Sequence, residues 1–317
     1  MNQRTELRDG SFTCKSVKLN LSFQVHVLDE TRSSNQKCFV MTIHDLGSSH
    51  TQFEKLINSS VMDGIRQHII WLNVSLPGQE PDAETLNTKK YPSLVELGQE
   101  LVCILDELKI QRIICMGVGV GANISAYFCL KNPDRCLGLM VLEPICSSAG
   151  FFESIRYRFS ARRNRKNSNQ NDFFVEMDKS VECLFSENQN PKNVELFAES
   201  FFNRSSLNSR LVDLRVDALI VVGKLSPLYA ETKKFYKILQ EFNKKSLHRL
   251  VNSPFLEIEN CQDILRECPQ RISASMLYFL QGIGLLSTVS LQKAPISPTA
   301  PSISSAIPST KSLISSV

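Results

Sequence analysis

Residues Gly117-Val118-Gly119-Val120-Gly121 lie between an apolar run, Ile113-Ile114-Cys115-Met116, and a helix-like stretch over 122–130 that ends near Asn132-Pro133. A strand, a sharp glycine turn and a helix together lift a nucleophilic oxygen or sulfur out of the backbone for attack on an acyl carbon. The centre of this turn is Gly119, which has no side chain to attack with. The same chemistry needs a carboxylic acid and a histidine at the ends of later strands, and two backbone N–H groups to hold an oxyanion. After the apolar run 219–222 the chain reads Gly223-Lys224-Leu225-Ser226-Pro227, so Ser226 stands in the acid's place. A hydroxyl cannot stabilise an imidazolium as a carboxylate does. The last strand is predicted over 248–251, and the residues after it place Pro254 where the histidine belongs. His248 falls inside that predicted strand and reads as a half-exposed strand residue. The backbone donors are indifferent to side-chain identity. Leu46 and Val120, with Gly47 beside them, are expected to form an oxyanion-like pocket able to take the carboxylate or carbonyl of a small ligand.

The glycine turn also satisfies a second pattern. Gly117-x-Gly119-x-x-Ala122 matches the dinucleotide fingerprint, and the run 137–142 ends in Glu143, about where that fingerprint places an acid for a ribose hydroxyl. The turn follows three earlier predicted strands, whereas the fingerprint opens the first βαβ unit, so this reading ranks second and no cofactor is expected. A basic segment holds Arg156, Arg158, Arg162, Arg163, Arg165 and Lys166 with Tyr157 and Phe159 between them. It suits anionic lipid headgroups or an acidic partner surface, or else a solvated loop.

Composition narrows the classes. The chain has 317 residues, 42% of them hydrophobic, enough for a substantial core. A net charge of +4, from 36 basic and 32 acidic residues, gives no reason to expect nucleic acid as a partner. The first residues are polar and no apolar run approaches the ~20 residues of a membrane helix. Ten cysteines contain no C-x-x-C pair, which argues against zinc. Several lie in apolar patterns, as reduced thiols in a cytoplasmic protein would.

The elements that must position these residues alternate between apolar runs and helical patterns, which predicts an α/β fold with a mostly parallel sheet flanked by helices. Strands are predicted over 23–28, 38–43, 69–74, 113–116, 137–142, 219–222 and 248–251. Helices are predicted over 51–57, 93–108, 120–130, 230–242 and 269–281. Residues 150–212 break the alternation, with helix-like segments near 173–184 and 194–203. Such an insertion resembles the cap that α/β-hydrolases carry over the active-site mouth. One domain over 1–286 with this cap, and a tail over 287–317, is the expected organisation. The tail is rich in Ser, Pro and Thr and has no aromatic residue, so it is expected to be disordered and open to phosphorylation.

A set of short stretches, in this order, carries a resemblance. They are His44-Asp45-Leu46-Gly47 with His50, Pro77-Gly78-Gln79, Tyr91-Pro92-Ser93-Leu94 and the turn 117–122. Asn132-Pro133, Glu143-Pro144-Ile145-Cys146, Val221-Val222-Gly223 with Ser226-Pro227, and Phe279-Leu280-Gln281-Gly282-Ile283-Gly284 complete it. Over about residues 20–285 the chain resembles the N-myc downstream-regulated (NDRG) family. The resemblance implies an α/β-hydrolase fold without hydrolase activity. It also implies a cytoplasmic protein that acts as an adaptor through protein contacts, linked to differentiation, stress response and signal transduction. His44-Asp45 stands where many hydrolases have His-Gly and the first donor amide. The chain departs from the family in its basic, asparagine-rich cap and in lacking the family's repeated tail motif. The alternatives are a divergent hydrolase with a non-standard nucleophile, or a dinucleotide-binding enzyme.

Overall fold

A computed structural model describes residues 10–31, 37–149, 188–245 and 251–290. Its centre is an eight-stranded sheet in the order β1-β2-β4-β3-β5-β6-β7-β8. The strands are β1 (Gly10–Ser16), β2 (Leu21–Asp29), β3 (Cys38–Ile43), β4 (Ile69–Ser75), β5 (Ile113–Val118), β6 (Cys136–Leu142), β7 (Ala218–Gly223) and β8 (Phe255–Ile258). The pairs β1–β2 and β2–β4 are antiparallel, and every pair from β4 to β8 is parallel. Strands β4, β5 and β7 are buried along their whole length. Parallel strands covered on both faces need apolar side chains on both, which is why they appear in the sequence as unbroken apolar runs.

The helices are α1 (Glu54–Ile57), α2 (Asp63–Arg66), α3 (Leu94–Glu100), α4 (Val102–Glu107), α5 (Val120–Lys131), α6 (Pro191–Phe202), α7 (Tyr229–Lys245), α8 (Ile264–Glu267) and α9 (Pro269–Gly282). One core joins Ile113 and Cys115 to Leu97, Ile104, Ile124, Phe128 and Phe235 from α3, α4, α5 and α7. The other joins Ile114 and Met116 to Leu56, Ile65, Met276 and Leu280 from α1, α2 and α9. The period-two alternation of β5 sends its neighbours to opposite cores. The predicted helix over 93–108 forms as two helices that meet at Leu101. Ser93 starts the first with a capping box, its Oγ accepting from Glu96 N while Glu96 Oε2 accepts from Ser93 N at 2.7 Å.

Two expectations change. Strand β1 was not anticipated: Phe12 and Cys14 alternate with polar residues, but the segment is short and pairs as an edge. A strand not predicted, β8 over 255–258, closes the sheet, and of the strand predicted over 248–251 only Val251 is described, outside any strand. Pro254 marks where β8 begins; with no N–H to donate, a proline fits the start of an edge strand. Residues 246–250 lie outside the described residues. So do 150–187, with the basic segment Arg156 to Lys166 and the helix predicted near 173–184, and so does 291–317 of the predicted tail. Residues 287–290 pack onto the domain, with Val289 buried and its carbonyl accepting from Gln281 Nε2 at 2.7 Å.

Candidate functional site

The carboxyl ends of the parallel strands form the rim where an open α/β sheet binds its ligands. Gly119 lies there, between β5 and α5, at φ 53° and ψ −116°. Its N–H donates to Leu142 O at 2.9 Å, which ties the turn to the end of β6. The left-handed backbone suits a glycine. Gly121, one step into α5, lies against the carbonyls of Ile43 and His44, so even a methyl group there would strike the backbone of β3 and its loop. These close approaches draw the elbow down onto the end of β3.

That end carries Asp45. Its Oδ1 accepts from Leu46 N at 2.8 Å and from Val120 N at 2.8 Å. The two amides expected to form an oxyanion-like pocket therefore do converge on one oxygen, and that oxygen belongs to this chain's own carboxylate. A Cβ built on Gly119 would fall onto both oxygens of the same carboxylate. Asp45 thus fills the volume a side chain at position 119 would need. Burial pushes its pKa up to about 6, against the opposing pull of the Val120 and Leu46 N–H groups. Gly47, at φ 75°, turns the loop, and Gln52 Oε1 accepts from Asp45 N at 2.7 Å.

His44 is fully buried beside it. Its Nδ1 donates to Asp45 O at 2.7 Å and its Nε2 accepts from Leu76 N at 3.0 Å, a pairing that assigns the tautomer. Burial lowers its pKa to about 4, so the ring is neutral with both nitrogens engaged. It joins the loops after β3 and β4 and meets Phe197 of α6 edge-on at 6.4 Å. His50 stacks on His26 at 3.4 Å and exchanges hydrogen bonds with Ser75, its N–H donating at 3.0 Å and its Nδ1 lying 2.9 Å from the Ser75 hydroxyl.

Ser226 sits after β7 as expected, with its Oγ accepting from Leu228 N at 3.1 Å. It faces Glu143, at the end of β6. Burial pushes the Glu143 carboxyl up to about 7; the Ser226 hydroxyl and Gly223 backbone pull it down, while Asp45 and Asp263 push it further up. Glu143 also has a left-handed backbone, φ 56°, and its N–H donates to Val221 O at 2.9 Å. Pro254 is not on this rim. Its carbonyl accepts from Ile220 N at 2.9 Å at the beginning of β8, the far end of the strand. The residues that follow β8 at the rim are Glu259-Asn260-Cys261-Gln262-Asp263, which include no histidine either.

The rim therefore gathers Asp45, Glu143, Ser226 and Asp263 around Gly119. Asp45 and Asp263 were not among the expected site residues, and Glu143 entered only through the dinucleotide alternative. The signal for Asp45 was in the sequence: a charged residue where many hydrolases have glycine, in the same chain as a glycine at the position that carries their nucleophile. Asp263 was hidden because β8 was not predicted. Carboxyls raised toward neutrality can act as general acids or bases. At the elbow tip there is no hydroxyl or thiol for them to activate. Among the described residues no group of three or more His, Cys, Asp and Glu side chains is arranged to hold a metal, and no helix is long and apolar enough to cross a membrane.

The solved structures on which the chain superposes include hydrolases. The chain superposes on an esterase from Thermogutta terrifontis with a TM-score of 0.65 at 13% identity, covering 87% of this chain and 99% of that one. A hydrolase from Pseudomonas aeruginosa gives 0.63 at 12% identity, covering 86% and 98%. The fold is that of the α/β-hydrolases. Among sequence relatives, an uncharacterized Caenorhabditis elegans protein, ZK1073.1, is 28% identical over 282 residues, 84% of this chain and 83% of its own length. An NDRG-like protein of Dictyostelium discoideum is 25% identical over 269 residues, 78% of each chain. NDRG1 of Xenopus tropicalis is 24% identical over 290 residues, 84% of this chain and 70% of its own. The profile of the Ndr family matches residues 20–287, and the chain belongs to that family.

Proposed function

We propose that this protein is a non-catalytic α/β-hydrolase-fold member of the Ndr family, acting in the cytoplasm as a signalling adaptor that binds other proteins, in the setting of differentiation or stress response. The observation that carries the non-catalytic reading is the Asp45 carboxylate. It takes both oxyanion donors, Leu46 N and Val120 N, and lies where a nucleophile on position 119 would stand. The arrangement reads as an exchange of side chains across the elbow: the facing loop gains a carboxylate and the elbow tip loses its nucleophile. Each change makes room for the other. Removing a triad member typically leaves catalysis lower by several orders of magnitude, and among the described residues neither a nucleophile on Gly119 nor a histidine after β8 stands at this rim.

The same contact argues against a dinucleotide. The Val120 N–H at the start of α5, which a pyrophosphate would need, is held by Asp45, and Glu143 faces Ser226. The basic residues Arg156 to Lys166 are proposed to meet an acidic protein surface or anionic lipid, and the Ser/Thr-rich tail is proposed as a phosphorylation target.

The deciding experiment is ester hydrolysis by the purified full-length chain, with p-nitrophenyl acetate and longer acyl esters. The expected rate is that of buffer alone. Turnover that co-purifies with the protein and disappears in a Glu143→Gln variant would overturn the reading in favour of a divergent hydrolase.

A further inference from the structure

The edge strand β1 carries Cys14, and the helix α4 behind it carries Cys103. Their sulfurs lie 3.2 Å apart, although 89 positions separate them in sequence. Both are free thiols. β1 and α4 pack directly against each other. Two further contacts hold the strand to the neighbouring helix: Ser16 Oγ donates to Glu100 Oε2 at 2.8 Å, and Lys18 Nζ pairs with Glu100 Oε1 at 2.9 Å. The two sulfurs are therefore kept in register by a contact at the end of the strand, Ser16, and one in the turn that follows it, Lys18.

The pair is asymmetric. Cys14 is 1% exposed, under the strand, whereas Cys103 is partly open to solvent. The pair thus holds one thiol enclosed under the strand and one that a reagent can reach. Access sets the order of reaction: a small disulfide in solution meets Cys103 first, and Cys14, 3.2 Å away, is placed to resolve the adduct.

We propose that Cys14 and Cys103 form a reversible, oxidant-responsive disulfide that clamps the edge strand β1 to α4. With a small disulfide such as oxidised glutathione as co-reactant, the Cys103 sulfur attacks one glutathione sulfur. The glutathione S–S bond breaks, one glutathione thiolate leaves, and Cys103 loses its proton to solvent. Cys14, deprotonated in its turn, then attacks the Cys103 sulfur of the mixed disulfide, and the second glutathione thiolate leaves. Two protein thiols and one oxidised glutathione become one protein disulfide and two reduced glutathiones.

The test is peptide mapping of the full-length chain after treatment with oxidised glutathione, with free thiols alkylated before digestion. The expected result is a cross-linked peptide pair containing Cys14 and Cys103, reversed by dithiothreitol. The midpoint of thermal unfolding should rise by about 5 °C, because a long loop is closed in the unfolded chain. Cys103→Ala, at the exposed partner, should abolish the cross-link. Cys14→Ser should leave Cys103 as a stable mixed disulfide with glutathione. The proposal is overturned if both cysteines of the unsubstituted chain are still free to be alkylated after oxidation, or if Cys103 in that same protein stops at the glutathione adduct. The first of these measurements uses no variant, so a variant that fails to fold does not blunt it.

Discussion

At the scale of single residues the central feature is the contact between Asp45 and Gly119. It makes a quantitative demand. Gly119→Ala should cost about 3 kcal/mol, from a methyl group driven onto a hydrogen-bonded carboxylate plus a left-handed backbone. In an Asp45→Gly background the collision is gone and only the backbone cost of about 1 kcal/mol remains. Urea unfolding of the four proteins should give a coupling of about 1–3 kcal/mol. Strict additivity would mean that the two positions do not compete for the same space. Protonation supplies a second check. The folded pKa of Asp45, about 6, lies above its ordinary 3.8. Its contribution is therefore present below pH 3.8 and lost as pH rises through 6. His44 and His50 are held at about 4 against an ordinary 6.5, so theirs is present above 6.5 and lost as pH falls toward 4. Between pH 4 and 6 the two trends oppose. Asp45→Asn removes only the first. Because Asp45 is partly solvated, the variant should gain about 1–2 kcal/mol on the wild type between pH 4 and pH 7. A difference that does not change with pH would show that Asp45 is not ionised against its burial.

At the scale of elements, the buried amide of Asn193 makes three of the bonds that fix α6 over the sheet. Asn193 Nδ2 donates to Gly78 O at 3.0 Å and Glu84 O at 2.9 Å, and its Oδ1 accepts from Leu86 N at 2.9 Å. Asn190 caps the helix, and Ser200 Oγ donates to Pro92 O at 2.6 Å further along it. The loop after β4 is therefore held to α6 mainly by side chains, with one backbone bond, Asp82 N to Asn188 O at 2.8 Å, just ahead of the helix. Asn193→Ala would leave three backbone groups without this partner, one of them on buried Gly78, and should cost about 1–3 kcal/mol. It should also speed hydrogen exchange at the Leu86 amide selectively, relative to the amides of β4. Uniform loss of protection would indicate general loosening rather than release of this loop. The sheet itself tolerates such local losses, since β4, β5 and β7 are buried on both faces.

At the scale of the whole molecule, the eight-stranded sheet brings residues 45, 119, 143, 226 and 263 to one rim from five separate stretches of chain. Much of this could be read in advance. Strands β3 to β7 announced themselves as apolar runs, because burial on both faces leaves no room for alternation. The elbow announced itself through its glycines, because close packing and a left-handed turn exclude other residues. Strand β8 was missed because it is a half-buried edge beginning at Pro254, and a proline reads as an end as readily as a beginning. Strand β1 was missed for the same want of burial. The sequence alone determined that position 119 carries no reactive atom, since that follows from residue identity. Only the tertiary structure decided what became of the two amides meant for an oxyanion. Whether an amide is free depends on which side chain folds back onto it, and the partner of Val120 N lies 75 residues away in the chain. Pattern along a chain reports burial and turn geometry; it does not report which distant carboxylate fills a hole.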